Sequence, residues 1–472
     1  MIHNYSIDQL QDRIRSGEHT CVSIVDSYLA QIEDTKHLNI YIEVYAEEAQ
    51  KKAMSLQEKY ERGEQMGRLF GCVVSIKDVL VYKDHTTTAG SKMLEGFKSI
   101  YTATAIQKVL DEDAILIGRV NCDEFAMGSG NENSYYGPTI NGIGENRVPG
   151  GSSGGSAVSV QMGTCTFSLG TDTGGSVRQP AAFCGMAGFK PTYGRVSRYG
   201  LIAYGSSFDQ IGILSHYIDD IAKVFSVIAG SDTLDSTTSE EDVPDLSDLT
   251  ASSEKYKIAY YHQAIENEGL DPEIKKDFEN SIESLRIKGH TIEAIDFELL
   301  DYIVPTYYVL TTAEASSNLA RYDGVRYGYR QPEANTLEET YVMTRTKGFG
   351  KEVKKRIMLG TFVLSAGYYD AYYGKAQKVR QLLIKETEKI FKSYDFILMP
   401  VSPTTAWKCG SKTDNPLEVY LSDIFTVQAN LTGIPAISIP TTKHSNGMPI
   451  GVQIMSKSFS EDKLLSFAKY LI

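Results

Sequence analysis

Between Gly128 and Gly212 the chain concentrates 19 of its 40 glycines. Glycine loses the most backbone freedom on folding, so such density persists only where backbone must turn sharply or approach something closely. Tight turns suffice for Gly137, Gly142 and Gly144. They do not suffice for two polar clusters, Gly150-Gly151-Ser152-Ser153-Gly154-Gly155-Ser156 and Thr171-Asp172-Thr173-Gly174-Gly175-Ser176-Val177-Arg178-Gln179-Pro180. Segments this free hold one shape only inside a large rigid surround. The chain has the means to build one: its 472 residues, 42% hydrophobic and 23% charged, can bury most of the surface they expose when unfolded.

That surround reads as strands alternating with helices. Short apolar runs suit buried strands at 72–76, 114–118, 164–169, 256–261, 292–297, 396–399, 436–439 and 452–455. Apolar residues three and four apart predict helices over 7–14 and 22–32, and 44–63 is charged and helical. Further helical stretches cover 103–111, 218–229, 272–288, 375–393 and 461–471. Such alternation predicts a layered α/β fold with a largely buried sheet. The division expected is an N-terminal helical segment, 1–65, packed on one large domain, 66–472. Residues 231–255, with eight acidic side chains and one lysine, form a solvated surface excursion or seam.

Several classes of function drop out. A formal net charge of −13 argues against this chain alone gripping nucleic acid. No apolar run approaches the ~18 residues of a membrane helix, and the start, Met1-Ile2-His3-Asn4-Tyr5, does not read as a signal peptide. Six scattered cysteines without a CxxC pair suggest reduced thiols in a cytoplasmic protein. No HxxxH or HExxH group suggests a zinc site, and no GxxxxGK[ST] loop suggests bound ATP.

The second polar cluster follows an apolar strand, and sites in open α/β sheets gather at the carboxyl ends of strands. A serine preceded by Thr-Gly-Gly can be ringed by backbone N–H groups, as an oxyanion requires. Ser176 is therefore a candidate nucleophile, with the amides of Thr173, Gly174, Gly175 and Ser176 as donors; a phosphate-binding nest or a plain turn are the alternatives. A serine needs a base. None of the eight histidines lies in a polar Gly-rich context. Lys77 closes an apolar strand, where burial would disfavour its charge and make it a usable base, although a lysine snorkelling at a strand end is the commoner case. Ser152 can link the two, since a hydroxyl both donates and accepts. Gly150-Gly151-Ser152-Ser153-Gly154 also matches GxSxG, but that elbow needs a strand before it, and Asn146-Arg147-Val148-Pro149 is a poor one.

Lys77, Ser152 and Ser176, with the stretch 150–181, resemble the amidase signature family almost position for position. Two departures are Gln161, where a small residue is usual, and Val79, where Asn usually follows Lys-Asp. The resemblance implies one large α/β domain with a mixed central sheet covered by helices on both faces. It also implies Ser176 as acyl-forming nucleophile, Ser152 as relay, Lys77 as base, and no metal. From about Leu69 onward the likeness extends to one branch, the glutaminase subunits of tRNA-dependent amidotransferases. It is carried by Ser91-Lys92-Met93-Leu94-Glu95-Gly96-Phe97, by Lys190-Pro191-Thr192-Tyr193-Gly194-Arg195-Val196-Ser197-Arg198, by Ala313-Glu314-Ala315-Ser316-Ser317-Asn318-Leu319-Ala320-Arg321 and by 348–380. This implies glutamine as ammonia donor, with Arg356 at its α-carboxylate, Asp423 at its α-amino group and Tyr307 as a hydrogen-bonding partner. It further implies B and C companion subunits in a heterotrimer. ATP and magnesium would sit on the partner subunit, which would also hold most of the tRNA and convert Glu-tRNA(Gln) to Gln-tRNA(Gln). A free-standing amidase acting on another amide would carry the same core. A non-enzymatic scaffold is argued against by the intact Lys77, Ser152 and Ser176 set.

Overall fold

The apolar runs pair edge to edge. In the computed structural model, which describes residues 5–411 and 423–472, they form one 11-stranded sheet. The strands are β1 (Tyr41–Val44), β2 (Val73–Lys77), β3 (Ile115–Val120), β4 (Phe167–Asp172), β5 (Ala187–Lys190), β6 (Gln210–Ser215), β7 (Lys257–Tyr261), β8 (Thr291–Ile295), β9 (Phe396–Pro400), β10 (Ala436–Lys443) and β11 (Pro449–Ser456). Their order is β1-β3-β2-β4-β6-β5-β10-β11-β9-β7-β8. β2 runs parallel to both β3 and β4, whereas β4–β6, β6–β5, β5–β10 and β10–β11 are antiparallel. Every residue of β2, β3 and β4 is buried, which explains their continuous apolar runs. Because these three strands are parallel, their carboxyl ends fall on one edge. Lys77, the segment after Val120 and the turn after Asp172 therefore meet there.

Helices cover the sheet: α1 (Ile7–Arg15), α2 (Cys21–Asp34), α3 (Ala46–Glu61), α4 (Thr104–Asp111), α5 (Gly154–Gln161), α6 (Arg178–Cys184), α7 (Ile218–Ile228), α8 (His262–Ile265), α9 (Pro272–Ile287), α10 (Leu300–Asn318), α11 (Leu337–Gly348), α12 (Lys351–Val363), α13 (Lys375–Ile390), α14 (Val427–Thr432) and α15 (Glu461–Leu471). Local chemistry starts several of them. Ser6 with Gln9, Thr20 with Ser23 and Thr336 with Glu339 form reciprocal caps, and Asp271 caps α9 ahead of Pro272. Among the described residues no helix is long and apolar enough to cross a membrane, and no group of three His, Cys, Asp or Glu is placed to hold a metal. The six cysteines are unpaired, five of them buried.

Three features differ from the sequence reading. The first 65 residues contain a strand, β1, which adds an antiparallel edge to β3. β5 and β6 are strands that Gly188 and Gly212 interrupt, which hides their apolar character. α10 carries Pro305 within it and α12 opens on a basic run, so neither shows a clean apolar stripe. Residues 231–255 contain no helix or strand, yet they are pinned: Arg195 Nη1 donates to the carbonyls of Glu241 and Asp242, and the Arg198 amide donates to Asp235 at 2.8 Å.

Candidate active site

Lys77 is completely buried at the end of β2. Its Nζ donates to three hydroxyls, Ser152 Oγ at 2.7 Å, Thr171 Oγ1 at 2.8 Å and Ser153 Oγ at 3.0 Å. Ser153 in turn donates to the Thr171 carbonyl at 3.0 Å, so its proton is committed. Ser152 follows a cis peptide from Gly151. Its carbonyl accepts from the Asp123 amide at 3.2 Å, and the next amide, that of Ser153, donates to the Ser176 carbonyl at 3.2 Å. That bond lays the two Gly-rich clusters side by side. Between Thr171 and Cys184 every residue is buried except Ser176, which is partly exposed.

The turn that carries Ser176 is shaped by Asp172. The carboxylate accepts from the amides of Gly175 (2.8 Å) and Val177 (3.2 Å), from Arg178 Nε and Nη2 (3.0 Å each) and from Asn430 Nδ2 (2.9 Å). The Gly175 amide, one of the four oxyanion donors expected from sequence, is therefore bonded to Asp172. Among the described residues the amides of Thr173, Gly174 and Ser176 have no hydrogen-bond partner. Gly175 has φ +120° with Thr426 packed against its Cα, a site that only glycine fills without strain.

Charge in this region follows from burial. Desolvation pushes Lys77 down to about 8, partly offset by Cys122, Asp123, Asp172 and Asp209. Burial works to raise Asp172, but the Arg178 guanidinium, with Lys190 and Asn430, holds it well below the usual carboxylate range. Asp123 and Asp209 are both pushed up to about 6 by burial. Asp78, next to Lys77, accepts from the amides of Thr88 (2.9 Å) and Gly90 (2.8 Å), from the Thr88 hydroxyl and from Arg119, which fixes the strand end.

A second group faces the same turn from the helices. Tyr307, on α10, is buried and lies over Gly174, where any side chain would collide with its ring and hydroxyl. Asp423 accepts from Tyr308 OH at 2.8 Å and Ser129 Oγ at 3.1 Å. Its carbonyl accepts from the Thr426 amide at 3.0 Å, and Thr426 Oγ1 donates to the Gly174 carbonyl at 2.6 Å. Arg356, on α12, is buried and donates to Glu352 (2.8 Å) and to Tyr204 OH (2.8 Å), with Tyr308 within 5.7 Å of its guanidinium. Tyr308, Ser129, Tyr204 and Thr171 escaped the sequence reading. One available signal was the Tyr307-Tyr308 doublet on a helix, where adjacent residues cannot both face the core.

The two departures from the family pattern also have places. Gln161 ends α5, where it bonds Asn141, Cys184 and Gly142 away from Lys77. Val79 is buried, and its carbonyl accepts from the Ile202 amide.

A buried lysine beneath two serine-bearing glycine turns, at the parallel edge of a mixed sheet, defines a class. The family model described as Amidase matches residues 23–465, and the chain belongs to that family. Membership supports an amidase activity. Within the family the chain is 49% identical over 465 residues to the A subunit of glutamyl-tRNA(Gln) amidotransferase from Chlorobium phaeobacteroides strain BS1, covering 98% of each chain. It is 48% identical over 472 residues to the protein of the same name from Fusobacterium nucleatum, covering 100% of this chain and 96% of the relative. The crystal structure of the Thermotoga maritima counterpart, also an A subunit of glutamyl-tRNA(Gln) amidotransferase, superposes with a TM-score of 0.81 at 35% identity, covering 100% of this chain and 95% of that one.

Proposed function

We propose that this chain is the glutaminase subunit of a glutamyl-tRNA(Gln) amidotransferase. The observation that carries the chemistry is the contact of Lys77 Nζ with Ser152 Oγ, 2.7 Å, at a fully buried site beside the Ser176 turn. A neutral amine has one lone pair. Ser153 has given its proton to a carbonyl, and of the two hydroxyls left, Ser152 lies in the turn bonded to the Ser176 segment, so Ser152 turns to donate to Lys77 and frees its own lone pair for the Ser176 proton. Ser176 Oγ then attacks the carboxamide carbon of glutamine. The oxyanion is held by the unoccupied amides of Thr173, Gly174 and Ser176. The proton returns through Ser152 to the leaving nitrogen, ammonia departs, and water cleaves the glutamyl ester to glutamate. Arg356 meets the α-carboxylate through Nη2, which has no partner among the described residues, and Asp423, beside Tyr308 and Ser129, meets the α-ammonium. Burial holds Tyr307 and Tyr308 well above the ordinary phenol range, so both stay protonated donors. The ammonia passes to a companion B subunit, where ATP and magnesium activate Glu-tRNA(Gln), and a C subunit joins the two. The division expected from sequence, 1–65 and 66–472, belongs to this reading.

The test is acid-quench trapping of a glutamyl ester with labelled glutamine, with and without the companion subunits. Label on Ser176 that is absent from Ser176→Ala is expected. No ester at all, with rapid turnover of simple aryl amides by the isolated chain, would point to a free-standing amidase instead.

A further inference from the structure

The two halves of the site lie far apart in the chain, yet one carboxylate touches both. Asp209, 3% exposed just before β6, accepts from Thr173 Oγ1 at 2.7 Å and from the Gly205 amide at 3.1 Å, both through Oδ1. Its Oδ2 accepts from the Tyr204 amide at 2.8 Å. On one side, Thr173 opens the turn whose amides face Ser176. On the other, Tyr204 presents its hydroxyl to Arg356 Nη1 at 2.8 Å. Each link is a short hydrogen bond between buried groups, so the tie is stiff.

We infer that Asp209 is a positioning residue that sets the distance between the oxyanion turn and the Arg356 clamp, and thereby the length of amide substrate that fits. This rests on the glutaminase reading above. Glutamine and asparagine differ by one methylene between the end that Arg356 holds and the carbon that Ser176 attacks. A fixed spacing matches one of them, and discrimination of one methylene is worth about 10- to 200-fold. A loosened spacing loses that discrimination.

The experiment uses the full chain with its companion subunits and measures kcat and KM for glutamine and for asparagine. Asp209→Asn keeps the shape but turns an N–H donor toward a backbone N–H donor, so one arm of the tie breaks. Its kcat/KM for glutamine should fall roughly 10- to 100-fold, and its preference for glutamine over asparagine should fall about tenfold or more. Two further variants cut one arm each. Thr173→Val should lower kcat more than it raises KM, and Tyr204→Phe should do the reverse. These keep the inference testable if Asp209→Asn fails to fold. Equal losses on both substrates, in Asp209→Asn or in both single-arm variants, would overturn it, as would full activity in all three. Failure of the glutaminase reading looks different, because the unsubstituted complex would then hydrolyse neither amino acid.

Discussion

Two lysines lie fully buried at strand ends of the same sheet, and they face different partners. Lys77 closes β2, and Lys190 closes β5. Burial pushes both down, Lys77 to about 8 and Lys190 to about 7, with Arg178 lowering Lys190 further. By that measure alone Lys190 is the better base. Their partners say otherwise. Lys190 Nζ donates to the carbonyls of Ile434 (2.6 Å) and Pro191 (2.8 Å) and to Gln210 Oε1 (3.1 Å), three acceptors with no proton to return. None of the three can pass a proton to or from a substrate, so Lys190 is no relay base, and its role is to tie β5 to the segment before β10. Lys77 faces three hydroxyls, and two of them, Ser152 and Thr171, are free to reverse, since only the Ser153 proton is given to a carbonyl. A low pKa marks burial; a reversible partner set marks a base.

The largest expected effect separates the pair directly. Lys77→Met should cut glutamine turnover about 10⁴-fold or more while the fold survives, since three hydroxyls can satisfy one another. Lys190→Met should leave the turnover of folded protein near normal but cost about 3 kcal/mol of stability, because three buried oxygens lose their donors. Steady-state kinetics and urea unfolding on both variants decide it, and an active Lys77→Met protein would end the comparison.

Arg178 stands between the two regions. It pairs with Asp172, which draws both lysines toward their charged forms, and it also bonds Thr426, Gln453 and Asn430. Arg178→Met strands a buried carboxylate, and unfolding should become easier by about 3–5 kcal/mol. The same variant should distort the Ser176 turn, because Asp172 would no longer be held for the Gly175 and Val177 amides.

The pH dependence sharpens the contrast without any mutation. In the proposed mechanism Lys77 reacts as the neutral amine, so kcat/KM should rise tenfold per pH unit and level off above about 8. Stability carries the opposite face of that shift. The folded pKa lies below the unfolded ~10.4, so between about 8 and ~10.4 the unfolded chain binds the extra proton and stability rises with pH. Below about 8 the full cost of burying the charge is felt. The stability gap between Lys77→Met and the unsubstituted protein should therefore narrow as pH climbs from 8 to 10. Lys190, pushed down to about 7, should give its own stability slope between about 7 and ~10.4 but none in kcat/KM, so a shifted pH–rate profile in Lys190→Met would contradict the assignment.

The same contrast explains what the sequence made legible. Lys77, Ser152 and Ser176 stood out because their neighbours are contiguous: an apolar run ending in lysine, and two glycine-serine clusters whose density has few other uses. The strands beside them could be read because parallel neighbours bury both faces and leave unbroken apolar runs. The helical half of the site gave no such signal. Tyr204, Tyr308, Arg356 and Asp423 come from four separate segments, and each is an ordinary residue until packing brings it to another. Arg356 lies in a basic run that looks solvated, and α10 has apolar residues all round. Lys190 opens a family-like motif, but nothing local distinguishes a lysine facing carbonyls from one facing hydroxyls. That difference arises from strand pairing across 244 residues.

The smallest expected effect moves the helical half and leaves both lysines untouched. Glu124 is 2% exposed and lies one residue after Asp123, whose amide holds the Ser152 carbonyl. Its carboxylate accepts from Ser91 Oγ at 2.5 Å and from the Gly350 amide at 2.8 Å, where α12 begins. Gly350 packs so closely on that carboxylate that an added methyl would collide with it. Gly350→Ala must then displace the Glu124 carboxylate from the Gly350 amide, which loosens the first turn of α12, and Arg356 lies six residues further along the same helix. The change acts on the helix that carries Arg356, whereas Lys77 is fixed at the end of β2. KM for glutamine should rise several-fold, up to about tenfold, with kcat nearly unchanged. A fall in kcat without a change in KM would mean that α12 and the sheet edge move as one body, and the separation of the site into a chemical half and a binding half would not hold.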